Sequence, residues 1–515
     1  MPKEWIMVIV IALYVVLMLV AGLISSKSSK SMAGFTVGGR SAGAWISALS
    51  YGTAYFSAVM FIGYSGTSGW RFGLWAILIG IGNAVFGTWL AWKVLARRTR
   101  DVSHRHHLKS MPQFFMARYG SGRMKTFSAV VILIFLIPYS ASVYKGLTSV
   151  CSVLLNVDPA VCMIVIAVIA ALLLVLGGYL ATLKADFIQG IIMFFGVALL
   201  IVFLLRSPAV ADGGGFSGMW DFMRENGMAP LSGGDTVALL ATILMTSFGT
   251  WGLPQMIHKY YGIKDDNEAK RGTVISVIFA LLVAGGGYLI GSFSHLFFGK
   301  ELPDGGVDYV VPHMLNMSAL PVLLLGIVLV LLVSASVSTL SSITLTACST
   351  ATMDLVKGRT RKELTSKGST VLTKVLCIFF VIASYFIANS NTPILDMMSY
   401  SWGIISGSFL APYVIALYWK GVNKIGAWAG ILGGFFLALI PAVSKILTLL
   451  PFVSDSSGTL QKLASYGPQF AVGAMLLSML LCFTVSLIAK SRGFDGSKVA
   501  KSFYEGSVEK NAKTV

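Results

Sequence analysis

The sequence predicts an all-α polytopic membrane protein with about 13 transmembrane helices. Two bulk features and one pattern predict it. Of 515 residues, 56% are hydrophobic and only 12% charged, with a mean hydropathy of +0.80. Uncharged runs recur at bilayer length, the first being Trp5 to Ile24, and about 20 apolar residues cross the hydrocarbon as a helix. Lysine and arginine, finally, are divided unevenly between alternate loops.

Taken in order, the expected spans are about 5–25, 43–69, 74–95, 124–152, 160–181, 187–206, 234–258, 272–296, 318–352, 370–389, 392–417, 425–447 and 469–489. The first is read as a helix and not a cleaved signal, because no small-residue cleavage site follows it in polar context. An odd count puts the termini on opposite sides. With the N-terminus outside, only Lys3, Arg71, Arg206, Arg224, Lys300 and Lys462 of the 39 basic residues are external, and Lys145 and Lys445 fall within spans. The rest are cytoplasmic, which is the positive-inside distribution. Topology therefore accounts for the net charge of +18, and nucleic acid is not implied. The basic run Arg97–Lys109 and the tail after Lys490 are expected to sit against anionic lipid, the tail as a mobile segment.

The stretch outside spans at 207–233 is glycine-rich, carries Trp220 and Phe222, and is expected to lie over the external mouth. Cys151, Cys162, Cys348, Cys377 and Cys482 form no paired motif. A Cys151–Cys162 disulfide at the outer surface is the less favoured reading. His104, His106 and His107 are read as a solvated loop before a metal site, since no cysteine or carboxylate completes a ligand set. The sequence contains no Walker loop, HExxH or dinucleotide fingerprint. That leaves neither a nucleotide-driven pump nor an intramembrane metalloprotease.

Two spans are expected to be broken. The second holds Gly52 and Thr53 among Ser47, Ser50 and Ser57; the seventh holds Gly249, Gly252 and Pro254. Glycine and proline loosen the helical ladder, and freed carbonyls are tolerated at membrane depth only where they line a cavity. The second span runs inside to outside and the seventh outside to inside. They are matching elements of two five-helix halves, spans 2–6 and 7–11, in inverted topology. The chain then divides into a leading helix and loop (1–42), a first repeat (43–206), a second repeat with its external loop (207–417), and two trailing helices with a basic tail (418–515). All belong to one transporter domain.

The ninth span reads SASVSTLSSITLTACST from Ser334 to Thr350, ten hydroxyl residues in seventeen. On a helix, Ala335, Ser338, Thr339 and Ser342 share one face. Neutral oxygens at one depth suit a hard monovalent cation, whereas a divalent ion would call for carboxylates. Small hydroxyl residues also glue transmembrane helices together, so this segment alone supports both readings equally.

Four segments carry a resemblance: GGRSAGAWISALSYGTAYFSA (Gly38 to Ala58), GGYLATLKADFIQG (Gly177 to Gly190), ASVSTLSS (Ala335 to Ser342) and SYSWGIISGSFLAPYV (Ser399 to Val414). They resemble the sodium:solute symporter family, which includes proline, pantothenate, sialic acid, galactose and iodide carriers. The likeness runs over essentially the whole chain and implies a LeuT-type 5+5 inverted repeat with one leading and two trailing helices. Two positions depart from the family pattern. Tyr179 stands where Leu, Met or Phe is usual, and Gly421 where a basic residue is usual, with Lys420 one place earlier. Neither touches the ion ligands.

The resemblance implies sodium as the coupling ion, held by the carbonyls of Thr53, Phe56 and Ala335 and the hydroxyls of Ser338 and Thr339. A second sodium site, found in some members, maps onto Asp186, Ser338, Ser341 and Ser342; the competing view pairs Asp186 with Lys184 or a helix N-terminus. Candidates for the organic solute face the breaks: Ala54, Tyr55, Ser57, Thr246, Ser247, Thr250, Trp251 and Trp402. Thr246 and Thr250 stand where proline carriers have aromatic residues, which argues against a close copy of the proline pocket. Lys145, an intramembrane cation, is read either as an anchor for a substrate carboxylate or as a snorkelling side chain, the latter slightly favoured. The expected function is a sodium-coupled symporter that imports a small organic solute (amino acid, carboxylate or sugar-like) as a monomer in the cell membrane, with no enzymatic activity. The rival readings are a proton-coupled carrier on the same scaffold, for which Asp186 is the credible titratable group, and a transporter-like sensor or channel.

Overall fold

The computed structural model describes residues 2–26, 40–318, 320–356, 365–450, 453, 455, 457–494 and 496–505; for 172–184 only the backbone path is described. Among them the regular structure is helical, with one isolated parallel bridge, Ala42 with Ile263. Nine helices among the described residues are long and apolar enough to cross a membrane, or ten with one bent pair.

The leading helix α1 (Lys3–Ser26) is followed by α2 (Ala44–Tyr55), a π-helical stretch Val59–Tyr64, and α3 (Ser65–Phe72). At Gly73 the backbone takes φ 55°, open to a residue without Cβ. From there the third span descends through α4 (Ile77–Gly82) and π turns to α5 (Arg97–Arg105). Arg71 pairs with Asp235 at the upper end and Arg100 with Asp266 at the lower. The loop after α5 folds into α6 (Met111–Tyr119), N-capped by Ser110 and ended by Gly120 in the left-handed region. Ser121 then caps α7 (Gly122–Leu155).

Asp158 caps α8 (Pro159–Leu205), one unbroken helical element of 47 residues where two spans are expected. Val165 and Ile169 line one cavity with Val333, and Gly196 packs on Leu331 of the same partner helix. Within the element, Ala185–Leu205 is long and apolar enough to cross a membrane, and Pro159–Ile169 is a shorter apolar stretch.

The segment expected over the mouth holds α9 (Pro208–Ala211) and α10 (Gly215–Glu225). Trp220 of α10 meets Trp75 edge-on, and Phe222 stacks on His295. The seventh span is α11 (Gly233–Phe248), a 3-10 turn Gly249–Gly252, and α12 (Pro254–Tyr261), the two parts bent by 50°. Next come α13 (Asp266–Ser292), α14 (Ser294–Phe298) and α15 (Val310–Met317). The hydroxyl-rich α16 (Val322–Thr350) and α18 (Ile394–Tyr418) are the most enclosed spans, 83% and 89% buried. Between them α17 (Ser366–Ala388) turns Phe379 and Phe386 outward, as do α19 (Lys424–Thr448) with Phe436 and α21 (Gly467–Ser491) with Leu476. Such an apolar exterior suits lipid, not water. The short α20 (Thr459–Ser465) leads into α21.

The tail departs from expectation. Its residues Ser497–Glu505 form α22, docked on the loop after α5: Phe503 is fully buried and meets Phe114 edge-on, while His106 Nε2 lies 2.7 Å from the Phe503 carbonyl. His104 Nε2 lies 3.2 Å from the Tyr261 carbonyl. These two histidines are structural ties, and among the described residues no cluster suited to a metal ion forms there. The five cysteines are free and buried.

Candidate functional site

Gly52 is not where the second span breaks. A Cβ there would lie 2.4 Å from the Phe279 ring, so glycine is needed for close packing of α2 on α13. The break falls four residues later, where Phe56 is extended at φ −102°, ψ 111°. Phe56 N still returns to the Gly52 carbonyl at 2.8 Å, and the ladder resumes with Met60 N on the Ser57 carbonyl at 3.0 Å. Among the described residues no amide returns to the carbonyls of Thr53, Ala54, Tyr55 or Phe56. The seventh span breaks where expected: Leu253 is extended, and Pro254, lacking an N–H, opens α12.

Helix α16 passes directly beside the first break. Thr339 Oγ1 lies 3.0 Å from the Thr53 carbonyl and 3.0 Å from that of Ala335, so one hydroxyl joins α2 to α16. Thr53, Phe56, Ala335, Ser338 and Thr339 are all buried. This donor set, the Thr53 and Phe56 carbonyls without amide partners beside the Ala335 carbonyl and uncharged hydroxyls of α16, fits a bare monovalent cation.

Ser338 donates its hydroxyl proton to Asp186 Oδ1 at 2.6 Å. The second carboxylate oxygen accepts from Ser50 at 2.5 Å and from Lys259 Nζ at 3.0 Å, and Lys259 Nζ also lies 2.8 Å from Ser50 Oγ. Asp186 and Lys259 form an ion pair with side chains 0% and 2% exposed. Lys184 lies outside the residues whose side chains are described. Ser341 and Ser342 are buried one turn along α16, apart from these contacts. Lys259 was missed because it follows the end of the expected seventh span and reads there as a cytoplasmic flank.

The solute candidates divide. Tyr55 stacks on Phe56 at 4.2 Å, lies 6.2 Å from Trp402, and donates its hydroxyl to the Thr246 carbonyl at 2.6 Å. Trp402 packs across from the second break, 3.3 Å from where a Gly249 Cβ would stand, and edge-on to Tyr139 at 5.6 Å. Among the described residues Tyr64 OH is buried without a hydrogen-bond partner, and Tyr139 OH and Trp402 Nε1 have at most each other. Such sparsely met polar groups around Tyr55 are what a solute would engage. Ala54 is buried.

Other candidates are committed elsewhere. Ser57 Oγ caps Val59 N at 3.3 Å. Thr246 and Ser247 donate to Asn83 Oδ1 at 2.8 and 3.2 Å, and Thr250 donates to the Ser247 carbonyl at 2.8 Å. Trp251 is turned onto the third span, its Nε1 3.1 Å from the Phe86 carbonyl and its ring on Phe248. The Lys145 ammonium binds the carbonyls of Thr392 at 2.7 Å and Ser390 at 3.3 Å, and Asp308 at 3.6 Å, tying α7 to the turn before α18 and to the 3-10 turn Val307–Tyr309. Tyr64, Asn83 and Tyr139 had no sequence signal, being isolated polar residues in apolar spans.

The fold is that of ion-coupled secondary transporters. A Na+-coupled sialic acid symporter in a substrate-bound outward-open state aligns with a TM-score of 0.72 at 16% identity, covering 94% of this chain and 97% of that one. A nucleobase-cation-symport-1 family transporter aligns at 0.54 and 11% identity, over 91% and 98%. The model of the sodium:solute symporter family matches residues 35–434, and the chain belongs to that family. The osmoregulated proline transporter OpuE of Bacillus subtilis (strain 168) is 25% identical over 505 residues, 94% of this chain and 95% of its own. The high-affinity proline transporter PutP of that organism is 27% identical over 460 residues (85% and 95%), and the sodium/proline symporter of Escherichia coli (strain K12) 24% over 445 residues (84% and 87%). The chain is therefore a multi-pass membrane transporter for a small molecule, with sodium as its coupling ion.

Proposed function

We propose that this chain imports a small organic solute together with sodium by alternating access. It does so as a monomer of 13 spans, with spans 2–6 and 7–11 as inverted repeats and the N-terminus outside. Sodium is held by the carbonyls of Thr53, Phe56 and Ala335 and the hydroxyls of Ser338 and Thr339. The observation that carries the reading is the Thr339 hydroxyl between the Thr53 and Ala335 carbonyls across an open helix end. An ion there joins α2 to α16 and orders the segment that bears Tyr55 and Phe56. Solute and ion then favour the same arrangement, which is what couples them.

The solute sits among Ala54, Tyr55, Tyr64, Tyr139 and Trp402, where polar tips are sparsely met. Its class is an amino acid, carboxylate or sugar-like molecule, and proline, carried by the relatives, is the first to test. One charge moving through 100 mV supplies about 2.3 kcal/mol. A tenfold sodium gradient adds about 1.4 kcal/mol, so accumulation of a neutral solute reaches several hundredfold. Uptake of labelled L-proline, and of a panel of amino acids, carboxylates and sugars, into proteoliposomes under an inward sodium gradient tests the reading. Uptake driven equally by a pH gradient in sodium-free buffer would overturn it.

A further inference from the structure

Asp186 stands where a second sodium is expected, yet its charge is already met inside the chain. Oδ1 accepts from Ser338, and Oδ2 accepts from Ser50 and from the Lys259 ammonium. Lys259 in turn has Ser50 Oγ at 2.8 Å. A monovalent cation held by one carboxylate and a serine hydroxyl has the ligand chemistry a second sodium would need, with a covalent leash added. We propose that the Lys259 ammonium is the second cation of this carrier, so that the native chain binds one sodium ion. This rests on the symport reading above and concerns only its stoichiometry.

Three features support it. The pair is almost wholly buried, and a second free cation beside an ammonium in a low-dielectric interior meets repulsion with no further negative charge to offset it. Asp308 and Asp354, two other buried acids of the described residues, are engaged at the ends of the fold with Lys145 and Lys125. The leash also has a mechanical consequence. Lys259 rides on α12, just past the break in the seventh span, while Ser50 rides on α2, just before the break in the second. Asp186 of α8 thus ties both interrupted elements together, as an ion would. A tethered charge returns with each empty carrier, so it adds nothing to the driving force. The accumulation limit then stays near several hundredfold and is not squared.

The test counts bound ²²Na+ per chain on the purified full-length protein, which needs no knowledge of the solute. The native protein is expected to bind one ion, and Lys259→Gln two, with the second lost again in Asp186→Asn/Lys259→Gln. Two ions on the native protein, or a Lys259→Gln protein that folds and still binds one, overturns the proposal. Where Lys259→Gln does not fold, the neutral double variant decides: one ion supports the tethered cation and two overturns it. Failure of the symport reading looks different, as a native protein that binds no sodium at all.

Discussion

Removing the Thr339 hydroxyl gives the sharpest test of the sodium site. Thr339 is fully buried, and its Oγ1 serves two carbonyls at 3.0 Å each. In Thr339→Ala the bound ion loses one neutral oxygen ligand. A contact of a polar group with a charge contributes about 1.5–3 kcal/mol. The ion-free state also loses something, because the Thr53 carbonyl gives up a hydrogen bond of about 0.5–1.5 kcal/mol. The difference, about 1–2 kcal/mol, raises the sodium needed for half-maximal uptake by about 5- to 30-fold at 1.4 kcal/mol per tenfold. Initial uptake rates across a sodium series measure it, with Thr339→Ser, which keeps the oxygen, expected within about twofold of native. Solute affinity at saturating sodium changes less. An alanine variant with native sodium dependence would show that this hydroxyl does not face the ion, and the site as drawn would be wrong.

Four further outcomes follow from the packing. Gly52→Ala drives a methyl into the Phe279 ring and costs about 1–3 kcal/mol of stability; transport and thermal stability fall together, and Phe279→Leu restores both if the clash is the cause. Lys145→Gln leaves solute affinity unchanged but lowers the unfolding temperature, since Asp308, 7% exposed, loses its counter-charge at a cost of about 1–3 kcal/mol. Burial raises the Asp308 carboxyl above its ordinary 3.8, against the Lys145 ammonium that lowers it, so the folded state holds this proton to higher pH than the unfolded chain. Its contribution therefore disfavours folding as pH rises from 3.8 through the raised value, a slope that Asp308→Asn removes from thermal melts. Phe503→Ala frees α22 from its seat beside Phe114, and limited proteolysis cuts the tail sooner while the membrane core keeps its melting temperature.

Much of this protein is set by local sequence. Bilayer-length apolar runs must become helices because lipid leaves every backbone polar group to be satisfied within its own segment. Pro254 with Gly249 and Gly252 marks the second break, since proline has no N–H to continue the ladder. The hydroxyl stripe of α16 announces neutral oxygens on one face. What the sequence could not decide is which groups at one depth meet. Gly52 looks like a helix breaker and is a packing contact, because its role depends on Phe279, more than two hundred residues away. Lys145 reads as a snorkelling side chain or a solute anchor and is bound to the Thr392 carbonyl, and Lys259 looks like a loop charge and is a buried partner of Asp186. Each of these turns on distance between helices, which periodicity within one helix does not encode, whereas burial makes that distance decide the fate of every charge.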